Sequence, residues 1–308
     1  MPHLNVLRAL ALTIGALFVL TPSSSDAQAP CELNPKGCPA RLDLESARGL
    51  GLGLGLRASA ISTSALAYNP AALVLGRSYH LEGTVDYQGG ADTVALGGAV
   101  ADSATSRLAG AVAFRGFLSG DHGGYDGLDG RLALALPLSD QLAIGISGRY
   151  VNIGTEAVSE ETDAWEEQEL VSGFTMDASV AVRLGDMIHV SAMAYNFIDR
   201  ESALLPVMGG ASIVVTPLPE LALGIDGLLD FSSFGKTQLD FGVGAEYLVA
   251  QTFPLRLGYN ADTARDTHYL TFGAGYTDQF IGLEVGVRQQ LSDNKDTRIL
   301  GGLRLYID

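Results

Sequence analysis

Polar and apolar side chains alternate along most of the chain from residue 78 onward. Across residues 78–88, Tyr79, Leu81, Val85 and Tyr87 stand against His80, Glu82, Thr84 and Asp86. The same period of two returns over 141–151, 237–249, 280–291 and 297–308. Such alternation puts successive side chains on opposite faces of a β-strand. The runs are roughly ten residues long, the length a tilted membrane strand requires. They predict about 14 strands, an even number as in single-chain bacterial barrels. These begin near Ser78, Thr93, Arg107, Leu128, Gln141, Leu170, Met187, Pro206, Glu220, Thr237, Phe253, Thr267, Gln279 and Thr297.

Brief turn signals at Ser139-Asp140, Gly185-Asp186, Pro217-Leu218-Pro219, Ala250-Gln251-Thr252 and Thr277-Asp278 alternate with longer connections. The longer ones fall at 118–127, 154–169, 199–205, 232–236, 261–266 and 292–296. Short periplasmic turns opposite longer external loops mark a transmembrane barrel, with both barrel termini on the periplasmic side. Strands of a soluble β-sandwich alternate too. Strand length, the two loop sizes and aromatic residues near strand ends (Tyr79, Tyr87, Phe117, Tyr150, Tyr247, Tyr276 and Tyr306) favour the membrane form. The expected fold is all-β: a transmembrane antiparallel β-barrel of about 14 strands with a small N-terminal hatch in the lumen.

Three segments follow. Residues 1–27 read as a signal peptide, with Arg8 before an apolar core at 9–20 and small polar residues at 21–27, so the chain is exported. With the barrel pattern, a Gram-negative outer membrane is the expected location. Residues 28–77 form an N-terminal periplasmic or hatch segment, and 78–308 the barrel. From Gly49 to Leu56, Gly and Leu alternate strictly. This is either a strand with one bare face or backbone threading a crowded interior. Glycine weakens a strand unless another backbone comes close, which favours the interior. Without the Lys and Ser/Thr of a P-loop the run is no phosphate cradle. Tyr68, Asn69, Pro70 and Ala71 mark the junction with the barrel, because Pro fixes its own φ and turns the preceding residue out of the helical region.

Composition sharpens this picture at a few points. The 38 glycines are nearly twice the usual share of about 7 %, in keeping with close backbone approaches. The formal charge of −16 has the wrong sign for a nucleic-acid binder. Part of it sits in Glu156, Glu160, Glu161, Asp163, Glu166, Glu167 and Glu169, a run that is either a solvated loop or a place for divalent or lipopolysaccharide-bound metal. Cys31 and Cys38, the only cysteines, flank Asn34-Pro35-Lys36-Gly37 and are expected to close a small disulfide ring after export.

The inward positions gather charges of both signs: His80, Glu82, Asp86, Arg115, Arg131, Arg149, Asp177, Arg183, Asp226, Asp240, Glu246, Arg256, Glu284, Arg288, Arg298 and Arg304. They suit a lumen whose charges pair and hold a plug, or line a transport path. Catalysis is not expected. The histidines are scattered, no G-x-S-x-G surrounds a serine, and two cysteines without a histidine cluster make no metal site. No cofactor is expected.

The run Ala47-Arg48-Gly49-Leu50-Gly51, then 58–68, then Asn69-Pro70-Ala71-Ala72-Leu73 followed at once by a strand, resembles the N-terminal region of FadL-like outer-membrane transport proteins. That superfamily includes long-chain fatty-acid and hydrocarbon channels and the PorV/PorQ branch. Pro254 to Tyr259 and Phe272 to Tyr276 look like late strands of the PorV-like branch. Departures are Ser62-Thr63 where relatives often carry an acidic pair, the missing long external insertion, and the Ile307-Asp308 ending. The resemblance implies a 14-stranded barrel with a luminal hatch. It implies passage of small hydrophobic molecules, fatty acid or hydrocarbon-like, by a hatch-gated route with release into outer-membrane lipid. The alternative it carries is a PorV-like anchor or carrier with a secreted-protein partner.

Overall fold

The alternating runs close into a ring. The computed structural model describes residues 31–34, 40–42, 45–120, 124–158, 165–291 and 296–307. In it, β1 (Tyr79–Gln88), β2 (Thr93–Asp102), β3 (Ala109–Ser119), β4 (Tyr125–Pro137), β5 (Leu142–Val158), β6 (Trp165–Leu184) and β7 (Ile188–Tyr195) form one half. The other half is β8 (Met208–Leu218), β9 (Leu221–Asp230), β10 (Gln238–Val249), β11 (Phe253–Asp262), β12 (Thr267–Thr277), β13 (Ile281–Gln290) and β14 (Thr297–Ile307). Every strand pairs with its sequence neighbours and β14 closes on β1, with Tyr79 opposite Ile307 and Gln88 opposite Arg298. Closure leaves no unpaired sheet edge for lipid to meet, which is what allows a sheet to span a membrane.

The face pattern agrees. Leu81, Val85, Val112, Leu132, Ile146, Ile225, Leu257, Leu283 and Ile299 point outward and are exposed, while His80, Asp86, Ala111, Arg131, Ser147, Asp226 and Arg256 point inward and are buried. An apolar exterior over a polar interior reverses a soluble protein and fits a membrane-spanning barrel. The short turns sit at the end where β1 begins and β14 finishes. At one of them, the Asp278 carboxylate accepts the N–H groups of Ile281 (2.8 Å) and Phe280 (2.7 Å), which holds its pKa below the usual carboxylate range.

Three expectations are corrected. The stretch 154–169 is not all loop: β5 and β6 continue their ladder out to Val158 opposite Trp165, through a register shift at Ile153/Gly154. Glu156 there faces Glu167, a like-charge pair tolerable only in solvent. Phe117 is no girdle residue. It is 2 % exposed inside the barrel, with the Arg115 guanidinium 4.7 Å from its ring centre. Asn69-Pro70 does not lead straight into β1, because a 3-10 turn over Pro70–Leu75 intervenes and the chain reaches β1 through 76–78. The expected signal peptide at 1–27 and Cys38 of the expected ring with Cys31 lie outside the described residues.

The chain before β1 packs within the barrel. Cys31 N–H donates to Ser233 O (2.8 Å) and Leu42 N–H to Leu204 O (2.8 Å), both partners being in long loops. Cys31 and Leu42 therefore sit at the long-loop mouth rather than at the short-turn end where β1 begins. From there the segment descends and circles the inner wall. Helix α1 (Ala47–Gly51) lies on β11 to β14, a 3-10 turn (Arg57–Ser59) on β7 and β8, helix α2 (Ser62–Tyr68) on β2 to β4, and the 3-10 turn at Pro70–Leu75 on β3 to β6.

The Gly/Leu run explains the descent. It is a short helix followed by turns, not a strand. Its glycines press backbone against backbone on a wall that offers glycines in turn. Gly224, Gly244 and Gly258 stand in register on β9, β10 and β11, and Gly273 faces Gly286 on β12 and β13. Gly53 has φ +58, and a Cβ there would lie 2.7 Å from the backbone N of Tyr259. Gly53→Ala is expected to cost about 1–2 kcal/mol for the left-handed backbone alone, before any collision. The check is a lower urea midpoint together with faster proteolysis of the inner segment.

Candidate functional site

Inside the barrel the charges found by alternation are joined into two ribbons, each tied to the inner segment. In the first, Glu45 accepts from Arg298 (3.0 Å) and Arg288 (3.4 Å). Arg298 also grips Asp86 through Nε (2.8 Å) and Nη2 (2.5 Å). Asp86 meets Arg115 (3.2 Å), Arg115 approaches Asp129 (3.9 Å), and Asp129 holds Arg149 (2.8 Å). Arg149 in turn donates to Leu42 O at 2.6 Å. In the second, Arg48 pairs with Glu246 (2.9 Å), Glu246 with Arg256 (2.7 Å), Arg256 with Glu284 (2.6 Å), Glu284 with Arg304 (3.5 Å) and Arg304 with Glu82 (3.3 Å). Glu82 also accepts the Thr63 hydroxyl. Buried charges persist only where paired and hydrogen-bonded, and these ribbons supply both.

Separate pairs fix the rest of the segment. Arg57 reaches Asp226 (3.4 Å) and donates to the Tyr195 hydroxyl (3.0 Å), between the rings of Tyr68 and Tyr195. Arg131 pairs with Asp177 (3.3 Å) and donates to Ala67 O (3.0 Å), and Arg41 pairs with Asp240. The four junction residues lie together. The Tyr68 phenol accepts the Ser46 N–H at 3.1 Å, and burial pushes its pKa up, so the proton stays on. The Tyr68 carbonyl accepts from Tyr195. Asn69, fully buried, donates to Arg57 O (3.2 Å), and the Ala71 N–H, next to Pro70, donates to Ser179 Oγ (2.8 Å).

Every charge singled out by alternation therefore faces the lumen, His80, Asp240 and Arg288 included. Alternation could not reach the partners on the inner segment: Glu45, Arg48 and Arg57. The signal was their position, since these are the charges flanking an otherwise uncharged Gly/Leu run. The fold also brings Ser62 Oγ to 2.5 Å from His80 Nδ1, although the two lie 18 residues apart in sequence. Among the described residues no carboxylate hydrogen-bonds the His80 ring, whose edge meets Tyr306 instead. This contact joins the inner segment to the wall and lacks the third group of a hydrolytic triad.

One sector of the wall is lined mainly by alanine, with Arg131 as the charge at its β4 edge. The inward positions of β2, β3 and β4 below Arg115 include Ala101, Ala109, Ala111, Ala133 and Ala135, all buried against Ala65, Leu66 and Leu73. Above Arg115, towards the long loops, Leu42, Ala95, Phe117, Val151, Ile153, Val171, Leu204 and Leu205 form a second apolar cluster. Between the two lies a cavity of about 30 Å³ bordered by Thr63, Ala67, Glu82, Gly97, Gly98, Ala99 and Ala113. That is room for about one or two waters, whereas benzene is held by an apolar cavity of roughly 150 Å³. A hydrophobic molecule passing this point must displace the inner segment. The wall is thin here, since Gly83 and Gly98 face each other across β1 and β2 and bear no outward side chain.

No protein-family model matches the chain, and no curated protein matches its sequence. Solved structures do resemble it. The toluene transporter TbuX of Ralstonia pickettii superposes with a TM-score of 0.63 at 13 % identity, over 90 % of this chain and 100 % of that one. The toluene transporter TodX of Pseudomonas putida gives 0.62 at 12 % identity, over 87 % and 99 %. A FadL homologue of Pseudomonas aeruginosa gives 0.60 at 11 % identity, over 87 % and 100 %. At this identity the likeness is one of fold.

Proposed function

From the fold that it shares with FadL-type outer-membrane transport proteins, we propose that this barrel passes small hydrophobic molecules across the outer membrane, with the inner segment as a hatch. The observation that carries the reading is the division of the lumen. Ion pairs lock the inner segment to β9, β10, β13 and β14, while helix α2 meets the alanine sector of β2 to β4 through apolar contact. Helix α2 is tied at its edges only by hydrogen bonds, from Arg131 to Ala67 O and from Ser62 and Thr63 to β1. Small side chains give α2 a surface to move along without breaking a buried ion pair, which would cost about 3–5 kcal/mol. Cargo gathers in the apolar cluster under the long loops, passes between α2 and the alanines, and leaves into lipid past Gly83 and Gly98. Fatty acids and hydrocarbons are the cargo classes this path suits.

Uptake of labelled toluene and oleate into proteoliposomes tests it. Ala111→Trp fills the sector and is expected to slow uptake about tenfold, equivalent to about 1.4 kcal/mol on the passage barrier. Leu132→Trp, on the lipid face of the next strand, leaves the rate unchanged. Uptake no faster than through protein-free liposomes, with a secreted protein co-purifying in stoichiometric amount, would overturn transport in favour of an anchoring role.

A further inference from the structure

The lumen pairs its arginines with care, and one is left out. Every other arginine that faces it, from Arg41 to Arg304, has a carboxylate oxygen within 3.4 Å. Arg183, one residue before β6 ends at the short-turn mouth, has none among the described residues. Its single side-chain hydrogen bond runs from Nη2 to Leu75 O at 3.3 Å, and its Nε is buried without a partner. Directly opposite on β7 stands His189, whose Nδ1 is likewise buried and unpartnered. Both side chains share the inward face, because Ala181 two residues before Arg183 and Ser191 two residues after His189 are buried inside the barrel.

A guanidinium with spare donors beside an imidazole, in a half-buried setting, is a receptor for an oxyanion. The planar fork of arginine matches carboxylate and phosphate geometry and can hold them through two parallel charge-assisted bonds, each roughly twice as strong as a neutral–neutral one. Orphaned buried donors cost free energy until something accepts from them. Val74 and Leu75, apolar and half-buried, end the inner segment at the same mouth.

We propose that Arg183 and His189 form an oxyanion-binding site at the short-turn mouth, taking one carboxylate or phosphate group. An amphipathic acid would lay its chain on Val74 and Leu75, whereas a free inorganic anion would use the polar pair alone. Occupancy replaces the hold of Arg183 on Leu75 O, and so loosens the last turn of the inner segment. The site does not depend on what the barrel carries.

Isothermal titration of the detergent-solubilised, full-length protein with octanoate, octanol and inorganic phosphate tests it. Octanoate binds and octanol does not if the carboxylate is what is recognised. Phosphate binding as tightly as octanoate identifies a free oxyanion as the ligand, and octanoate alone identifies an amphipathic acid. Arg183→Gln is expected to weaken binding about tenfold or more, Arg183→Lys to restore part of it, and Arg107→Gln at the same mouth to leave it unchanged. Since Arg183→Gln can also disturb folding, its urea midpoint is measured alongside, and His189→Leu serves as the second variant. Octanol binding as well as octanoate, no binding of either anion, or full affinity in both variants overturns the site. Toluene uptake that persists in those cases leaves the transport reading standing.

Discussion

Deleting residues 28–76 while keeping residues 1–27 is expected to raise single-channel conductance in planar bilayers from near zero to a steady open level. A barrel of about eight strands is filled by its own side chains, so one of 14 has room to spare. Here that room holds the inner segment, whose Leu50, Leu52, Ala58, Leu66 and Leu73 are almost fully buried. Its removal leaves Arg288, Arg256 and Asp226 facing water, which solvates them and fills a pore. The ladder from β1 to β14 is made by the strands alone, so the truncated barrel is expected still to close and insert. If the truncated chain fails to fold, Arg57→Gln with Asn69→Ala is the second probe. It cuts the hold on Asp226 and Tyr195 and should give a flickering leak. Porin-like conductance by the intact protein, or a folded deletion that stays closed, would refute a hatch.

The second large effect concerns Asp86. Its carboxylate receives Arg298 at 2.8 and 2.5 Å and Arg115 at 3.2 Å, all three side chains being buried. Asp86→Ala is expected to destabilise the barrel by about 3–5 kcal/mol, the cost of leaving a buried charge unmatched. Two features make the loss specific to pairing. Asp86→Asn, which keeps the size and one acceptor, should recover part of it. Adding Arg115→Met to Asp86→Ala should be less damaging than the sum of the two, since the arginine it removes has already lost its nearer carboxylate and keeps only Asp129 at 3.9 Å. The midpoint of urea unfolding in lipid, with heat-modifiable gel mobility as a second readout, measures both. A single variant with unchanged midpoint would show that the ribbon contributes nothing to stability.

Alternation along single strands carried the architecture. Each strand needs only its own period of two to declare itself, because lipid on one side and a polar lumen on the other reward the same pattern at every position. The Gly/Leu run likewise announced close backbone contact, since bare glycine is costly anywhere else. Its conformation did not follow. Leu50, Leu52, Leu54 and Leu56 alternate as in a strand, yet the partners are glycines on β9 to β13, and their positions in space fold the run into a helix and turns.

The pairing of charges was decided by the tertiary structure alone. Glu45 and Arg298 lie far apart along the chain but meet at 3.0 Å only because the segment runs down the lumen from the long-loop mouth. No local rule encodes that direction, so the sequence pointed to a hatch in the lumen without saying from which mouth it enters. The same holds for Arg183. Sequence marks it as one inward arginine among many, and it stands out only once barrel closure has matched each of the others with a carboxylate. Periodicity is written residue by residue because solvent and lipid act on each residue separately. Complementarity across the lumen joins strands distant in sequence, and it exists only after the ring has closed.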